Sequence, residues 1–166
     1  MPTDTIYGLH AMATEASAAR IAQIKGRDEA KRFVTLAASI AQLEKFGAAI
    51  PPALRSVWPA PVTAIIPRGG ESLAARIPDL PWLRELLERT GPLISTSANR
   101  SGEPPTAEPA ELSAPLAKAV DGIVDAGRRE GKASAIVDFT GTEPRFIRDG
   151  EPGFTQMLRK TLMKKL

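Results

Sequence analysis

The sequence predicts an α/β or α+β domain built on a mixed sheet. Short apolar runs of strand composition alternate along the chain with stretches of helical period. Helix boundaries carry local stop and start signals, such as Thr14 before an Ala/Ile-rich run and Gly26 after it. No stretch repeats another, and no linker or low-complexity segment interrupts the 166 residues, so residues 1–166 are expected to form a single domain.

The elements follow in order. Pro2 to Leu9 reads as a strand end running into a glycine turn at Gly8, rich in hydroxyls. So polar and specific an opening is unusual for a domain start, and an upstream segment is expected. Thr14 is a good N-cap for a helix over Ala16 to Ile24, with Ile21 and Ile24 on one face. Phe33 to Ala37 is a short buried strand. Ser39 and Gln42 form a capping box for a helix carrying Ile40, Leu43 and Phe46, stopped by Gly47.

Pro51 to Val57 is a short helix, and Trp58-Pro59-Ala60-Pro61 a rigid turn with Trp58 in the core. Strands are expected at Val62 to Ile66 and Ala74 to Ile77, with Gly69-Gly70 between them. Pro81 opens a helix through Leu86 to Thr90 that ends at Gly91. Pro92 to Ile94 is a strand. Thr106 should cap a helix bearing Leu112, Leu116 and Ala119. Gly122 to Val124, Ser134 to Phe139 and Pro144 to Arg148 read as strands, and Phe154 to Leu166 as a basic amphipathic helix.

Composition excludes several kinds of chemistry. There is no cysteine, so neither a disulfide framework nor a thiolate metal site is possible, which fits a reducing cytosol. The one histidine, His10, rules out a His-cluster metal site, so a divalent ion would enter only with a ligand such as a nucleotide. No apolar run is long enough to span a bilayer, and Met1-Pro2-Thr3-Asp4 is no signal peptide, so a cytoplasmic protein with no membrane partner is expected. Walker, dinucleotide and Gly-x-Ser-x-Gly motifs are absent, and no pair of carboxylates stands out for acid–base work. The net charge of +3 gathers at Lys25, Arg27, Lys31 and Arg32, and at Arg159, Lys160, Lys164 and Lys165. Such mild basicity is compatible with anionic substrates or RNA, though the C-terminal cluster reads first as a solvated helix end.

The stretch Ser95-Thr96-Ser97-Ala98-Asn99, followed by Gly102, Pro104 and Pro105, is the strongest candidate for a ligand site. A strand that runs into a hydroxyl-rich turn, with the next helix delayed, is where open α/β sheets place ligands. Hydroxyls, an amide and free backbone N–H groups suit phosphate or carboxylate oxygens. Equally, these side chains could simply cap the backbone of an ordinary loop.

Several blocks together resemble the YrdC/TsaC family of threonylcarbamoyl-AMP synthases. They are Pro2-Thr3-Asp4-Thr5-Ile6-Tyr7-Gly8-Leu9, Ile24-Lys25-Gly26-Arg27, Trp58-Pro59-Ala60-Pro61-Val62-Thr63, Arg76-Ile77-Pro78-Asp79, Ser95 to Gly102, and Ser134-Ala135-Ile136-Val137-Asp138 with Arg148. The resemblance implies a twisted open mixed sheet flanked by helices, with a concave, positively lined face. It implies a reaction joining L-threonine, bicarbonate and ATP into threonylcarbamoyl-AMP and pyrophosphate, with Mg²⁺ on the nucleotide. A downstream threonylcarbamoyl-transferase complex would then modify tRNA.

By matching position, the Lys-x-Arg and Ser-x-Asn signatures fall on Lys25, Arg27, Ser97 and Asn99 as the catalytic set. Thr3, Arg76, Ser95 and Ser134 would surround threonine, with Tyr7 walling the pocket. Arg27, Lys31, Ser97, Asn99 and Arg148 would surround ATP. Without the resemblance, Arg76 would be read as a surface strand residue. The chain departs from the family in beginning at the Pro-Thr-x-Thr motif, and in Ala60, Asp28, Arg32, Ala135 and Asp149. The alternative is a non-catalytic relative that binds RNA or nucleotide; a carbamoyl-transfer domain of the hydrogenase-maturation kind is a third.

Overall fold

The computed structural model describes residues 1–26 and 32–163. Arg27 and Lys31, and Lys164 and Lys165 of the basic tail, lie outside the described residues. Among the described residues seven strands form one sheet in the order β1-β5-β2-β4-β3-β6-β7. The strands are β1 (Gly8–Met12), β2 (Val34–Leu36), β3 (Val62–Arg68), β4 (Glu71–Arg76), β5 (Leu93–Ser97), β6 (Ala135–Asp138) and β7 (Arg145–Arg148). The pairs β2–β4 and β3–β6 are parallel and the other four antiparallel, so the sheet is mixed as expected.

Among the described residues the helices α1 (Glu15–Lys25), α2 (Ile40–Lys45), α3 (Pro81–Thr90), α4 (Ala114–Ala119) and α5 (Pro152–Met163) flank it. Their ends follow the local signals. The Thr14 hydroxyl accepts the Ser17 N–H at 3.2 Å, and Gly26 closes α1 in the left-handed region at φ 59°. Ser39 accepts the Gln42 N–H at 3.2 Å, while the Gln42 side chain turns back to the Ala38 N–H at 2.8 Å, one residue earlier than a standard capping box. Gly69 and Gly70, at φ 53° and 85°, join β3 to β4 in a two-residue hairpin, a turn whose twist demands two positive φ values.

Period-two alternation decides which face carries what. Val62, Ala64 and Ile66 of β3, Leu73 and Ala75 of β4, and Ala135 and Val137 of β6 point into one core, closed by Leu43 of α2, Trp58, and Leu158 and Leu162 of α5. Their neighbours Thr63, Arg76 and Ser134 face the other way and line a cleft. At β5, Ile94 packs with Ile21 of α1 and Leu116 of α4, while Leu93 packs with Leu83 and Leu87 of α3.

Four sequence expectations are corrected. Strand β5 continues through Ser97 instead of ending at Ile94, because β2 pairs with it through Ser95 and β1 carries the ladder on through Thr96 and Ser97. Gly8 opens strand β1 and forms no glycine turn; the turn lies earlier, closed by a bridge between Pro2 and Tyr7. The helix expected from Thr106 divides into a 3₁₀ turn at Pro109–Glu111 and the short α4, since Pro109 and Pro115 are each tolerated only in a first turn. Thr106 caps no helix; its hydroxyl donates to the Ala98 carbonyl. Gly122 to Val124 joins no strand, with Ile123 and Val124 exposed on a segment that crosses toward Tyr7.

Candidate active site

The cleft has a volume of about 240 Å³ and opens on the sheet face that the α2/α5 core leaves uncovered. Its lining brings together Thr3, Tyr7, Arg76, Ser95, Ser97, Ser134 and Arg148, drawn from separate stretches of chain. A second cavity, of about 350 Å³ between α1 and β1, is mostly apolar and contains none of the expected site residues.

The turn at residues 3–7 is held from within. The Thr3 hydroxyl donates to the Ile6 carbonyl at 2.9 Å and accepts the Thr5 and Ile6 N–H groups at 3.2 and 3.3 Å. Thr3 and Thr5 share a hydroxyl–hydroxyl bond at 2.9 Å. From this turn Asp4 reaches the Nη2 of Arg76 and accepts the Asp79 N–H at 3.0 Å, while the Thr5 hydroxyl accepts from Arg76 Nη1 at 3.1 Å. Arg76, read from composition alone as a surface residue, is only 5% exposed.

On the opposite wall, Arg148 donates from Nε and Nη2 to the Ser134 carbonyl at 3.0 and 2.8 Å. A bulge in the β6–β7 ladder skips Ile147 and sets Arg148 opposite Ile136, within reach of Ser134. The Ser134 hydroxyl is paired with that of Thr63 at 2.9 Å. Burial, and then the charge of Arg76, lower the proton affinity of the Arg148 guanidinium. Two mutually repelling guanidiniums at one cleft, with Arg32 also in its lining, favour an anionic guest.

Tyr7 stands in the cleft lining with its side chain packed in the core beside Ile94 and Leu116, and its hydroxyl is committed to the segment after α4. It donates to the Gly127 carbonyl at 2.7 Å and accepts the Ala126 N–H at 3.0 Å. Farther along, Gly131 lies against the Thr5 carbonyl so closely that a Cβ would come within 2.2 Å of the oxygen. Arg128 joins Glu108, Glu111 and Glu130 and ties the segment to the loop before α4.

Lys25 and Asn99 do not line the cleft. Lys25 is 4% exposed, and its ammonium donates to the Ser97 and Asn99 carbonyls at 2.5 and 2.6 Å and to Asn99 Oδ1 at 3.3 Å. The Asn99 amide donates to the Arg100 and Glu103 carbonyls at 3.0 and 2.5 Å. This pair shapes the turn that leaves β5. Asp4, Thr5, Thr63 and Arg32 were not among the expected site residues; the first three stand inside the motif blocks, and Arg32 inside the basic cluster.

The fold and cleft define an α/β protein with an open mixed sheet whose uncovered face is furnished with arginines and hydroxyls. The Sua5/YciO/YrdC family model, described as telomere recombination, matches residues 1–150. The threonylcarbamoyl-AMP synthase of Chromohalobacter salexigens is 34% identical over 158 residues, covering 86% of this chain and 85% of that protein. The structure of Pyrococcus abyssi Sua5 complexed with L-threonine superposes with a TM-score of 0.82 at 30% identity over 90% of this chain; the chain spans 49% of that protein. Escherichia coli YciO shares the fold at a TM-score of 0.79 and 23% identity, with 90% of this chain and 81% of that one covered. The chain belongs to the Sua5/YciO/YrdC family.

Proposed function

We propose that this chain is an L-threonylcarbamoyladenylate synthase, converting L-threonine, bicarbonate and ATP into threonylcarbamoyl-AMP and pyrophosphate. The observation that carries the reading is the cleft itself, where Arg76 and Arg148 stand opposite each other among the hydroxyls of Thr3, Ser95, Ser97 and Ser134. Relatives named threonylcarbamoyl-AMP synthase and the threonine-bound Pyrococcus Sua5 support it.

In this reading the threonine carboxylate is received by Arg76, and its polar groups by Thr3, Ser95 and Ser134, against the wall of Tyr7. Arg148, Ser97 and Asn99 serve the nucleotide, with Arg27 and Lys31 contributing from outside the described residues. The threonine amine takes up carbon from bicarbonate, releasing water and forming a carbamate. A carbamate oxygen then attacks the α-phosphorus of ATP, and the bond to the bridging oxygen breaks to release pyrophosphate. No covalent enzyme intermediate is needed. Catalysis comes from holding two anions in line and neutralising charge as it builds on the phosphoryl oxygens. Lys25 acts through the backbone, fixing the Ser97 and Asn99 carbonyls and with them the turn that presents Ser97 to the cleft. The cleft lining offers hydroxyls and guanidiniums and, among the described residues, no carboxylate. That donor set suits phosphate oxygens, so Mg²⁺ would arrive with the nucleotide, held by its phosphates, and would neutralise part of their charge.

Residues 1–166 act as one unit in this proposal, in the cytoplasm. The product passes to a threonylcarbamoyl-transferase complex acting on tRNA, and tRNA binding by this chain is a further expectation. Among the described residues no helix is long and apolar enough to cross a membrane. The test is incubation with ATP, Mg²⁺, bicarbonate and labelled L-threonine. Threonylcarbamoyl-AMP and pyrophosphate that require all four components support the assignment. Their absence, with RNA affinity that falls steeply with salt, transfers it to a non-catalytic nucleic-acid-binding relative.

A further inference from the structure

We infer that Asp4 is a positioning residue: its carboxylate holds the Arg76 guanidinium at the cleft and so sets affinity for an amino-acid carboxylate that Asp4 does not touch. The inference rests on the proposal that Arg76 receives the carboxylate of threonine.

The geometry is that of a two-sided brace. One oxygen of Asp4 takes Arg76 Nη2, and the other takes the Asp79 N–H at 3.0 Å, just beyond the end of β4. Thr5, the next residue, takes Nη1 at 3.1 Å. Two points on one tight turn therefore fix both the position and the plane of the guanidinium. The ion pair is closed off from solvent, with side-chain exposures of 6% and 7%, so screening does little to loosen it. The protein does not saturate the group, because Arg76 Nε is buried with no hydrogen-bond partner among the described residues.

A second cation makes the brace necessary. The charge of Arg76 is felt at Arg148 across the cleft. Two guanidiniums facing one small cavity repel each other, and without a fixed counter-charge Arg76 would be free to swing from the ligand. Asp4 supplies that counter-charge from behind Arg76. The cleft therefore keeps cationic donors on its inner surface, and the carboxylate stays out of its lining.

The experiment compares the wild type with Asp4→Asn and Asp4→Glu, measuring KM for threonine and ATP and the inhibition constant of L-threoninamide, which lacks the carboxylate. Asparagine keeps the shape and an oxygen for Asp79 but loses the charge. Asp4→Asn is expected to raise the threonine KM by about tenfold, the lower end of what loss of an outer supporting carboxylate costs. The ATP KM and the threoninamide constant should stay within about twofold, smaller than any effect of a lost charged contact. Asp4→Glu, which retains the charge, should lie closer to wild type, and stands as the test alone if Asp4→Asn fails to fold. Equal weakening of threonine, threoninamide and ATP would overturn the inference and make Asp4 part of the turn's scaffold. A Glu variant as impaired toward threonine as the Asn variant would overturn it too. A wild type that neither binds nor consumes threonine would instead defeat the functional reading on which it rests.

Discussion

The ammonium of Lys25, in the last turn of α1, lies 2.5 Å from the carbonyl oxygen of Ser97 at the end of β5. A helix terminus and a strand terminus 72 residues apart are thereby joined by one buried charge. Lys25→Met keeps the aliphatic stem but leaves the Ser97 and Asn99 carbonyls without this donor. The Ser97 carbonyl keeps the Asn99 N–H, so it is the Asn99 carbonyl that is left unmet, at a cost of about 1–3 kcal/mol that denaturant unfolding should show. Pyrophosphate release should fall more than stability alone explains, since the same turn presents Ser97.

Arg148 offers a test of geometry against charge. Arg148→Lys keeps a cation but cannot donate twice to the Ser134 carbonyl. We expect kcat/KM for ATP to drop about 10²-fold in Arg148→Ala, comparable to removing one donor that meets developing negative charge. Arg148→Lys should recover only a small part, as read from steady-state pyrophosphate release.

Tyr7→Phe removes the hydroxyl that clasps Ala126 and Gly127 while keeping the ring in the core. Global stability should fall by about 1 kcal/mol, the net worth of an ordinary hydrogen bond. Amide hydrogen exchange at residues 125–128 should rise well beyond that of the core strands. Unchanged exchange there would show that the segment is held without Tyr7.

His10 makes acid stability a readout. Its Nε2 pairs with the Met1 carbonyl at 3.1 Å, and burial, chiefly, pushes its pKa down to about 3 from an ordinary 6.5. The unfolded chain binds this proton near pH 6.5 and the folded chain does not until about pH 3. Stability is therefore fully present above about pH 6.5 and is lost as pH falls, with a slope approaching 1.4 kcal/mol per unit, until about pH 3. His10→Gln, which can still donate to Met1, should flatten that limb by about one proton in urea unfolding followed against pH. Parallel limbs for the two proteins would exclude His10 as the titrating group.

Much of the fold was legible because its signals are local. Thr14, Ser39, Gly26 and the Gly69-Gly70 pair act within a few residues of themselves, and each sits where the sequence placed it. The expected site was legible as a set of motif blocks, and most of the set does share one cleft. Where reading failed, the cause was contact at a distance. The hydroxyl run after Ile94 looks like a loop by composition, yet pairing with β2 at Ser95 and with β1 through Ser97 holds it extended. The sequence places Lys25 at the end of a helix but does not record that its ammonium is buried against the Ser97 and Asn99 carbonyls.

By itself the sequence determined the class of sheet, most of the helix ends, and the chemical inventory of arginines and hydroxyls without thiols. Period and capping are written in neighbouring residues, so these are properties of the chain before it folds. Only the tertiary structure decided that Asp4 would meet Arg76, that the Tyr7 hydroxyl would close on Gly127, and that Lys25 and Asn99 would stand outside the cleft. Those pairings depend on the order of strands across the sheet. Strand order is set by which apolar faces bury together, a global balance that no short stretch of sequence records.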